Sequence, residues 1–247
     1  MLIVSTGCGG ERNNHNLAEP YEQVRLAAEQ GDAESQVGFG FMYYYGLGGL
    51  PQNYERAVYW YRLAAEQGHL GGQINLGYMY YHGLGGLPQN HEQAVYWYRL
   101  AAEQGNAGAQ YTLASMYQLG LGVPQDYEQA IYWYRQSAEQ GNAFAQLSLG
   151  LMYQLGEGVI QDYEQAAYWV RLAAKQGFAD AQFNLALMYY DGLGVPQDYE
   201  QAAYWVRLAA EQGFATAQFN LAFLYYHGLG VPQNLGQAEY WYRLSRE

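Results

Sequence analysis

The six tryptophans of this chain recur at a nearly constant interval, and this interval constrains the fold more than any other feature. They lie at positions 60, 97, 133, 169, 205 and 241, so consecutive tryptophans are 37, 36, 36, 36 and 36 residues apart. A fixed period of roughly 20 to 50 residues is typical of a solenoid, in which each repeat buries its apolar face against the next repeat. We therefore expect one structural unit to recur from about Asp32 to the end of the chain.

Each repeat contains two segments with the period of an amphipathic helix. One repeat, residues 179–214, has the sequence ADAQFNLALMYYDGLGVPQDYEQAAYWVRLAAEQGF. Apolar residues three and four positions apart predict a first helix, here called an A helix, and a second helix, here called a B helix. The predicted apolar positions are Phe183, Leu185, Ala186, Met188 and Tyr189 of the A helix, and Ala202, Trp205, Val206, Ala209 and Ala210 of the B helix. Counted along the chain, the pattern predicts six A helices and seven B helices.

The loop between the two helices carries signals for a helix end and a helix start. The GLG segment can adopt positive φ without steric cost, and Pro196 prevents the A helix from continuing. Asp198 is placed to cap the B helix that follows. The equivalent capping positions are Asn53, Asn90, Asp126, Asp162 and Asn234. Ile160 stands where other repeats have proline, so we expect a less rigid turn there.

The repeat pattern predicts a single solenoid domain at 17–247, preceded by a disordered leader or signal-sequence remnant at 1–16. An N-terminal cap helix is expected at about 20–30 and a C-terminal cap helix at about 235–246. The predicted repeats are 32–68, 69–105, 106–141, 142–177, 178–213 and 214–247.

Charge and composition exclude several classes of protein. Lys and Arg number 11 against 23 Asp and Glu, giving a net charge of −12, whereas nucleic-acid binding requires a basic surface. The acidic balance favours a basic or neutral protein or peptide partner. No stretch of about 18 uninterrupted apolar residues is present, so no transmembrane segment is expected. A lone cysteine, Cys8, allows neither an internal disulfide nor a cysteine-based zinc site.

The sequence gives no sign of catalysis, of a cofactor or of a metal site. A catalytic site needs singular residues that converge in one pocket, but nearly every polar residue here is a repeated framework residue. The histidines form no i, i+4 pair of metal ligands. The Gly-rich loops lack the Gly-Lys-Ser/Thr of a phosphate-binding loop. We therefore expect a chain that is not an enzyme and that uses no metal and no cofactor.

The string NLALMYYDGLGVPQDYEQAAYWVRLAAEQG, residues 184–213, closely resembles the Sel1-like repeat, a relative of the tetratricopeptide repeat. The resemblance covers nearly the whole chain and includes the GLGV turn, the Asp-Tyr helix start and the AAEQG ending. It implies an all-α fold, a right-handed α-solenoid of antiparallel helix pairs with repeats of 36–37 residues. It also implies a bacterial scaffold for protein–protein interactions, without chemistry of its own.

Positions that vary between repeats on one face of the A helices are the candidate ligand contacts. By analogy with tetratricopeptide repeats, this face is expected to line a concave groove. The positions nominated for partner binding are Phe41, Tyr44, Tyr45, Asn75, Tyr78, Tyr81, His82, Tyr111, Ser115, Gln118, Leu151, Gln154, Asn184, Leu187, Tyr190, Asp191, Asn220, Phe223, Tyr226 and His227. Aromatic faces there would contact apolar or Arg side chains, and amides would hydrogen-bond to a peptide backbone. Plain packing between repeats is the alternative interpretation of the same positions.

A column of seven arginines occupies one position of the repeat. Its members are Arg25, Arg62, Arg99, Arg135, Arg171, Arg207 and Arg243. Because the residue is the same in every repeat, we interpret the column as structural. Each Arg is expected to pair with an acid such as Glu66, four residues after Arg62, or with the next repeat.

The segment before the repeats leaves the cellular location open. Small residues precede Cys8, as in a lipoprotein signal whose cysteine is lipidated, but the apolar stretch covers only Leu2 to Val4. One hypothesis is a lipid anchor at Cys8 with a periplasmic or outer-membrane location. The other is a bacterial cytoplasmic protein with an ordinary leader.

The sequence supports a principal function and two alternatives. The principal hypothesis is a non-catalytic scaffold or adaptor that binds a protein or peptide in an aromatic groove. One alternative is an envelope-associated module that inhibits an enzyme or is itself enzymatic. The other is a purely architectural repeat protein that associates with itself.

Overall fold

The computed structural model describes residues 18–246, with side chains from Tyr21, and its thirteen helices in that range confirm the predicted alternation of B and A helices. Cys8 and the predicted leader lie outside the described residues. The B helices are α1 (Ala18–Glu29), α3 (Tyr54–Glu66), α5 (His91–Glu103), α7 (Tyr127–Glu139), α9 (Tyr163–Lys175), α11 (Tyr199–Glu211) and α13 (Leu235–Leu244). The A helices are α2 (Ala33–Tyr45), α4 (Leu70–His82), α6 (Ala107–Leu119), α8 (Ala143–Leu155), α10 (Ala179–Asp191) and α12 (Ala215–His227).

Contacts between helices group the chain into two compact units. The N-terminal unit ends at Trp97 and the C-terminal unit begins at Tyr98, inside α5. In the N-terminal unit each helix from α1 to α4 packs on the next, and in the C-terminal unit the same holds from α6 to α13. The fold is thus an all-α solenoid of packed helix pairs.

The predicted helix ends are confirmed. Gly192 ends α10 in the left-handed region, with φ 72°, and its N–H donates to the Met188 carbonyl. The Asp198 side chain accepts from the amide of Gln201 at the start of α11. At the turn with Ile160, the Asp162 N–H donates to the Tyr153 carbonyl at 2.9 Å, as Asp198 does to Tyr189. The turn therefore keeps its backbone hydrogen bond without the proline.

Small side chains let the two kinds of helix approach closely in the core. In α10 the buried apolar residues include Leu185, Ala186 and Met188, and α11 packs on them. The buried residues of α11 are Ala202, Ala203, Val206, Ala209 and Ala210. Because alanine has no side-chain atom beyond Cβ, the helices pack with little intervening space.

A ladder of buried glutamines joins neighbouring repeats, and the sequence analysis missed it. Gln182 of α10 donates to the Ala174 carbonyl near the end of α9, at 3.3 Å. Its own side-chain oxygen accepts a hydrogen bond of 2.8 Å from Gln212, at the end of α11. The Gly177 N–H also donates to the Ala174 carbonyl, at 3.0 Å, so the buried Gln adds a second donor at the helix end and ties it to the next repeat.

The tryptophan position is less buried than predicted. Trp169 is buried, but Trp205, expected in the buried stripe of α11, is only half-buried. Its ring packs on the exposed Tyr204, with centroids 5.1 Å apart and planes at 81°. Trp205 therefore lies at the edge of the core, where a neighbouring tyrosine covers part of its surface.

Candidate ligand-binding face of the A helices

The nominated positions remain accessible on the A helices. All twenty are half-buried or exposed, and none is fully buried. One position of the repeat holds exposed side chains in four of the A helices. They are Phe41, Tyr78, Leu187 and Phe223, with exposed fractions of 47, 39, 37 and 40%. We call these twenty positions, taken in each unit by itself, the A-helix face.

One position of the A-helix face is fixed by the loop that follows. Gln197 donates from its side chain to the Tyr190 carbonyl at 2.9 Å and to the Tyr199 hydroxyl at 3.2 Å. Gln52 makes the same bond to the Tyr44 carbonyl in the N-terminal unit. These bonds satisfy carbonyls at the ends of the A helices, so the tyrosines at these ends stand on an anchored backbone.

In the C-terminal unit, nominated residues line a cavity of about 370 Å³ between α10 and α12. Leu187, Tyr190 and Asp191 come from α10, and Asn220 and Phe223 come from α12. The other lining residues are Ala186, Ala202, Val206, Phe219 and Leu224. The walls are mainly apolar, and Asp191 is the one charged residue among those that line the cavity.

In the N-terminal unit, the same positions of the repeat line a second cavity, of about 240 Å³. Phe41, Tyr44 and Tyr45 come from α2, and Asn75 and Tyr78 come from α4. Tyr61 and Met79 complete the lining. All seven residues are counterparts, in repeat register, of residues that line the cavity between α10 and α12. The two cavities thus share a position in the fold but differ in chemistry.

The floor of each cavity comes from a B-helix position that the sequence analysis did not nominate. This position holds Tyr61, Tyr98, Tyr134, Val170, Val206 and Tyr242 in successive B helices. Tyr61 projects towards α2, where a Cβ on Gly40 would lie only 2.7 Å from its ring. Internal comparison of the B helices would have revealed this variable position.

The floor residue also decides the hydrogen bonds of the A-helix face. The Tyr134 hydroxyl donates to the side-chain oxygen of Gln118 at 2.8 Å and lies 2.9 Å from the Ser115 hydroxyl. In the next repeat Val170 replaces the tyrosine. There the side-chain oxygen of Gln154, the counterpart of Gln118, is buried without a hydrogen-bond partner among the described residues.

Burial raises the pKa values of two floor tyrosines, Tyr61 and Tyr134. Desolvation raises the pKa of Tyr61 well above that of an ordinary tyrosine. It also raises the pKa of Tyr134, although the hydrogen bond with Ser115 opposes the shift. The neighbouring Tyr78 hydroxyl, together with burial, raises the pKa of Tyr44 to about 12. These phenols are neutral hydrogen-bonding groups at physiological pH.

The arginine column is structural. Of the two predicted pairings, the one between Arg62 and Glu66 is wrong, and the one with the next repeat is confirmed. Arg62 instead donates to the Tyr80 hydroxyl on the following A helix, at 3.3 Å. Arg99, Arg135, Arg171 and Arg207 make the same contact with Tyr117, Tyr153, Tyr189 and Tyr225. Only Arg25 of this column forms ion pairs with acids of its own helix among the described residues, with Glu22 and Glu29. The arginines therefore connect a B helix to the next A helix through tyrosine.

A row of exposed tyrosines on the B helices was also missed. Its members are Tyr59, Tyr96, Tyr132, Tyr168, Tyr204 and Tyr240, each at least 45% exposed. Each ring packs edge-on against the tryptophan that follows it, at centroid distances of 4.9 to 5.2 Å. Because the residue is the same in all six repeats, the row offers no difference that would distinguish one repeat from another.

Within residues 18–246, no group of three or more His, Cys, Asp or Glu side chains is arranged to hold a metal ion. The helices in this range are also too short or too polar to cross a bilayer.

A model of the Sel1 repeat family matches the chain six times, at residues 31–69, 71–106, 107–142, 143–178, 179–214 and 215–247. The chain belongs to the Sel1 repeat family. Sel1 repeats typically mediate protein–protein interactions and are generally non-catalytic.

Solved structures of Sel1 repeat proteins agree with this assignment. The chain is similar to c5321, a protective antigen present in uropathogenic Escherichia coli strains, with 40% identity and a TM-score of 0.90. That alignment covers 93% of this chain and 49% of c5321, so the chain spans about half the length of that protein. A Sel1 repeat protein from Oxalobacter formigenes is 33% identical, with a TM-score of 0.76 and coverage of 95% of this chain and 98% of that chain. A search of curated proteins finds no match.

Proposed function

We propose that this Sel1 repeat chain is a non-catalytic scaffold or adaptor that binds a segment of a protein partner on its A-helix face. The observation that supports the proposal is the pair of cavities at equivalent positions of the repeat. Most of the residues that line them vary between repeats. In a solenoid, framework residues recur, so residues that differ on an accessible face are free to fit a ligand.

The cavities offer the contacts that an extended protein segment needs. Phe41 and Tyr78 present aromatic surface in the N-terminal unit, and Leu187 and Phe223 present apolar surface in the C-terminal unit. A few well-packed side chains, often Tyr, Trp or Arg, supply most of the affinity of protein interfaces. Asn220 donates from Nδ2 to the Thr216 carbonyl at 2.8 Å, which leaves its side-chain oxygen to accept from a ligand N–H.

The charge of the chain favours a basic or neutral partner. The net charge of −12 creates a negative field that accelerates the approach of cationic surfaces and repels acidic ones. The rate of association should therefore fall as salt is added, because ions screen charges beyond roughly 8 to 10 Å at physiological ionic strength.

Selection of a random-peptide phage library on the immobilised full chain tests this proposal. Enriched peptides are synthesised with a fluorophore, and their dissociation constants are measured by anisotropy. Two triple variants are compared with the wild type. The A-face variant carries Phe41→Ser, Tyr78→Ser and Leu187→Ser, and the matched B-face variant carries Tyr59→Ser, Tyr96→Ser and Tyr204→Ser.

We expect the A-face variant to weaken binding at least about tenfold, since loss of one buried apolar contact costs roughly 1.5 to 3 kcal/mol. The B-face variant should bind as the wild type does. Thermal melts establish that both variants fold. Equal binding by the wild type and the A-face variant would place the interaction elsewhere and refute the proposal.

A further inference from the structure

We propose that the cavity between α10 and α12 is a subsite for one bulky apolar side chain of a partner segment, and that Asp191 binds a Lys or Arg next to that side chain. This inference rests on the proposed function, because it specifies the ligand chemistry at one end of the A-helix face. It concerns the C-terminal unit alone.

The cavity of the C-terminal unit has a small floor residue and the larger volume of the two. Val206 and Ala202 of α11 form the floor, whereas the equivalent cavity of the N-terminal unit has Tyr61 at the position of Val206. The volume is about 370 Å³ with valine and about 240 Å³ with tyrosine. A phenol ring fills space that a valine leaves open, so the valine floor provides room for a side chain from outside.

The lining selects an apolar side chain. Leu187, Val206 and Leu224 supply aliphatic surface, and Phe219 and Phe223 supply aromatic surface. A polar group placed among them would lose hydrogen bonds to water without replacement. An aliphatic or aromatic side chain instead removes apolar area from water on both sides of the contact.

Asp191 supplies the charge at this cavity. The same position of the repeat holds Tyr45, His82, Leu119, Leu155 and His227 elsewhere, so Asp191 is its one acid. It is exposed, and no described residue forms a hydrogen bond or ion pair with its carboxylate.

Helix stability does not explain this aspartate. Asp191 is the last residue of α10, where the partial negative charge of the helix end disfavours a carboxylate. A cation from a partner would offset this unfavourable interaction with the helix end. The acidic net charge of the chain acts in the same direction.

The experiment uses three short synthetic peptides as probes of the full chain. The first, called the Leu-Lys peptide, is acetyl-Ala-Leu-Lys-Ala-amide. In the Leu-Gln peptide Gln replaces its Lys, and in the Ser-Lys peptide Ser replaces its Leu. Binding is followed by NMR titration of the methyl groups of Leu187, Val206 and Leu224. We expect saturable shifts with the Leu-Lys peptide, an affinity up to about fivefold lower with the Leu-Gln peptide, and no saturation with the Ser-Lys peptide.

Three variants test the assigned roles. Asp191→Asn keeps the shape of the side chain and should lower the affinity for the Leu-Lys peptide to that for the Leu-Gln peptide. Val206→Tyr should narrow the cavity, as the tyrosine floor does in the N-terminal unit, and weaken binding at least about tenfold; its fold is checked by thermal melting. Val170→Tyr is the same exchange one repeat earlier and should leave binding unchanged. The alanine that faces position 206, Ala186, is compatible with a tyrosine there. In an earlier repeat its counterpart Ala114 packs in one core cluster with Tyr134, the counterpart of Val206.

Two outcomes would overturn the subsite. Either the Leu-Lys peptide leaves the three methyl groups unshifted, or it binds Val206→Tyr as well as it binds the wild type. If library-selected peptides still lose affinity in the A-face variant, the subsite is wrong and the proposed function stands. If their binding is also insensitive to the A-face variant, both proposals fail.

Discussion

The guanidinium of Arg207 donates a hydrogen bond of 2.8 Å to the phenol oxygen of Tyr225, 18 residues later on the next A helix. The Arg also lies over that ring, 5.8 Å from its centroid. The same pairing recurs at four other arginines of the column, so one contact type connects α3, α5, α7, α9 and α11 with the A helix of the following repeat.

Removing the Tyr225 hydroxyl isolates the hydrogen-bonding part of this contact. Tyr225→Phe keeps the ring but leaves a charged donor without its acceptor, so we expect a loss of about 1 to 2 kcal/mol in the free energy of unfolding. Urea unfolding monitored by circular dichroism measures this loss. Tyr204→Phe, at an exposed tyrosine, is the control and should change stability by less than about 0.5 kcal/mol. Equal effects of the two substitutions would show that the hydrogen bond contributes nothing.

Val170→Tyr should stabilise the chain. The buried oxygen of Gln154 has no hydrogen-bond partner among the described residues, and a tyrosine hydroxyl serves the equivalent Gln118. Gly150 faces Val170 as Gly40 faces Tyr61, so space for the ring is expected there. We expect a gain of about 1 kcal/mol in the free energy of unfolding. Val170→Phe supplies the ring without the hydroxyl, so a gain of the same size in that variant would refute the hydrogen-bond explanation.

Substitutions at two glycines with positive φ distinguish the cost of backbone strain from the cost of a steric clash with a neighbouring helix. Gly177 has φ 88° with nothing within 4 Å of an added Cβ, whereas at Gly194, φ 69°, that Cβ would lie 1.8 Å from the Tyr163 carbonyl oxygen. Gly177→Ala should cost about 1 to 2 kcal/mol from strain alone. Gly194→Ala should cost a further 1 to 3 kcal/mol, because the helix start must move. Thermal melts of both variants make the comparison, and similar melting temperatures would contradict the close approach.

The stability of the N-terminal unit should fall at alkaline pH because of Tyr61. Burial raises the pKa of Tyr61 in the folded chain above the value of about 10 that tyrosine has when unfolded. Below that pH both states keep the proton. Above it the unfolded state loses the proton first, so unfolding is favoured by up to about 1.4 kcal/mol per pH unit. Thermal melts between about pH 9 and 11 should show a shallower decline for Tyr61→Phe than for Tyr59→Phe, and identical declines would contradict this.

The helical part of the fold was predictable because its signals are local. The apolar spacing of residues such as Leu185 and Met188, the GLG turn and the cap at Asp198 each specify structure within a few residues. Repetition then confirmed each signal several times within one chain. The half-burial of Trp205 was not predictable in this way, since it depends on how the helices pack around its edge.

The candidate site was predicted in part. Variation between repeats indicated Leu187, Tyr190 and Asp191 correctly as accessible residues, and the structure brings them to one cavity. Val206 was predicted correctly as a buried residue of α11, but its place at the floor of the cavity was not predictable, since that depends on how α10 and α12 pack above it. A contact of Arg207 with the next repeat was predicted, but Tyr225 as its partner was not, because the two residues are 18 positions apart, beyond the reach of a helical spacing rule.

Site-specific photo-crosslinking in the native host tests the central claim, that partners bind the A-helix face, most directly. A benzophenone amino acid replaces Leu187 or Phe41 on that face, and Tyr204 or Tyr59 on the B helices in matched strains. We predict that irradiation gives one and the same adduct from the two A-helix positions, that excess library-selected peptide suppresses it, and that the B-helix positions give none. An adduct from Tyr204 or Tyr59, with none from Leu187 or Phe41, would contradict the account.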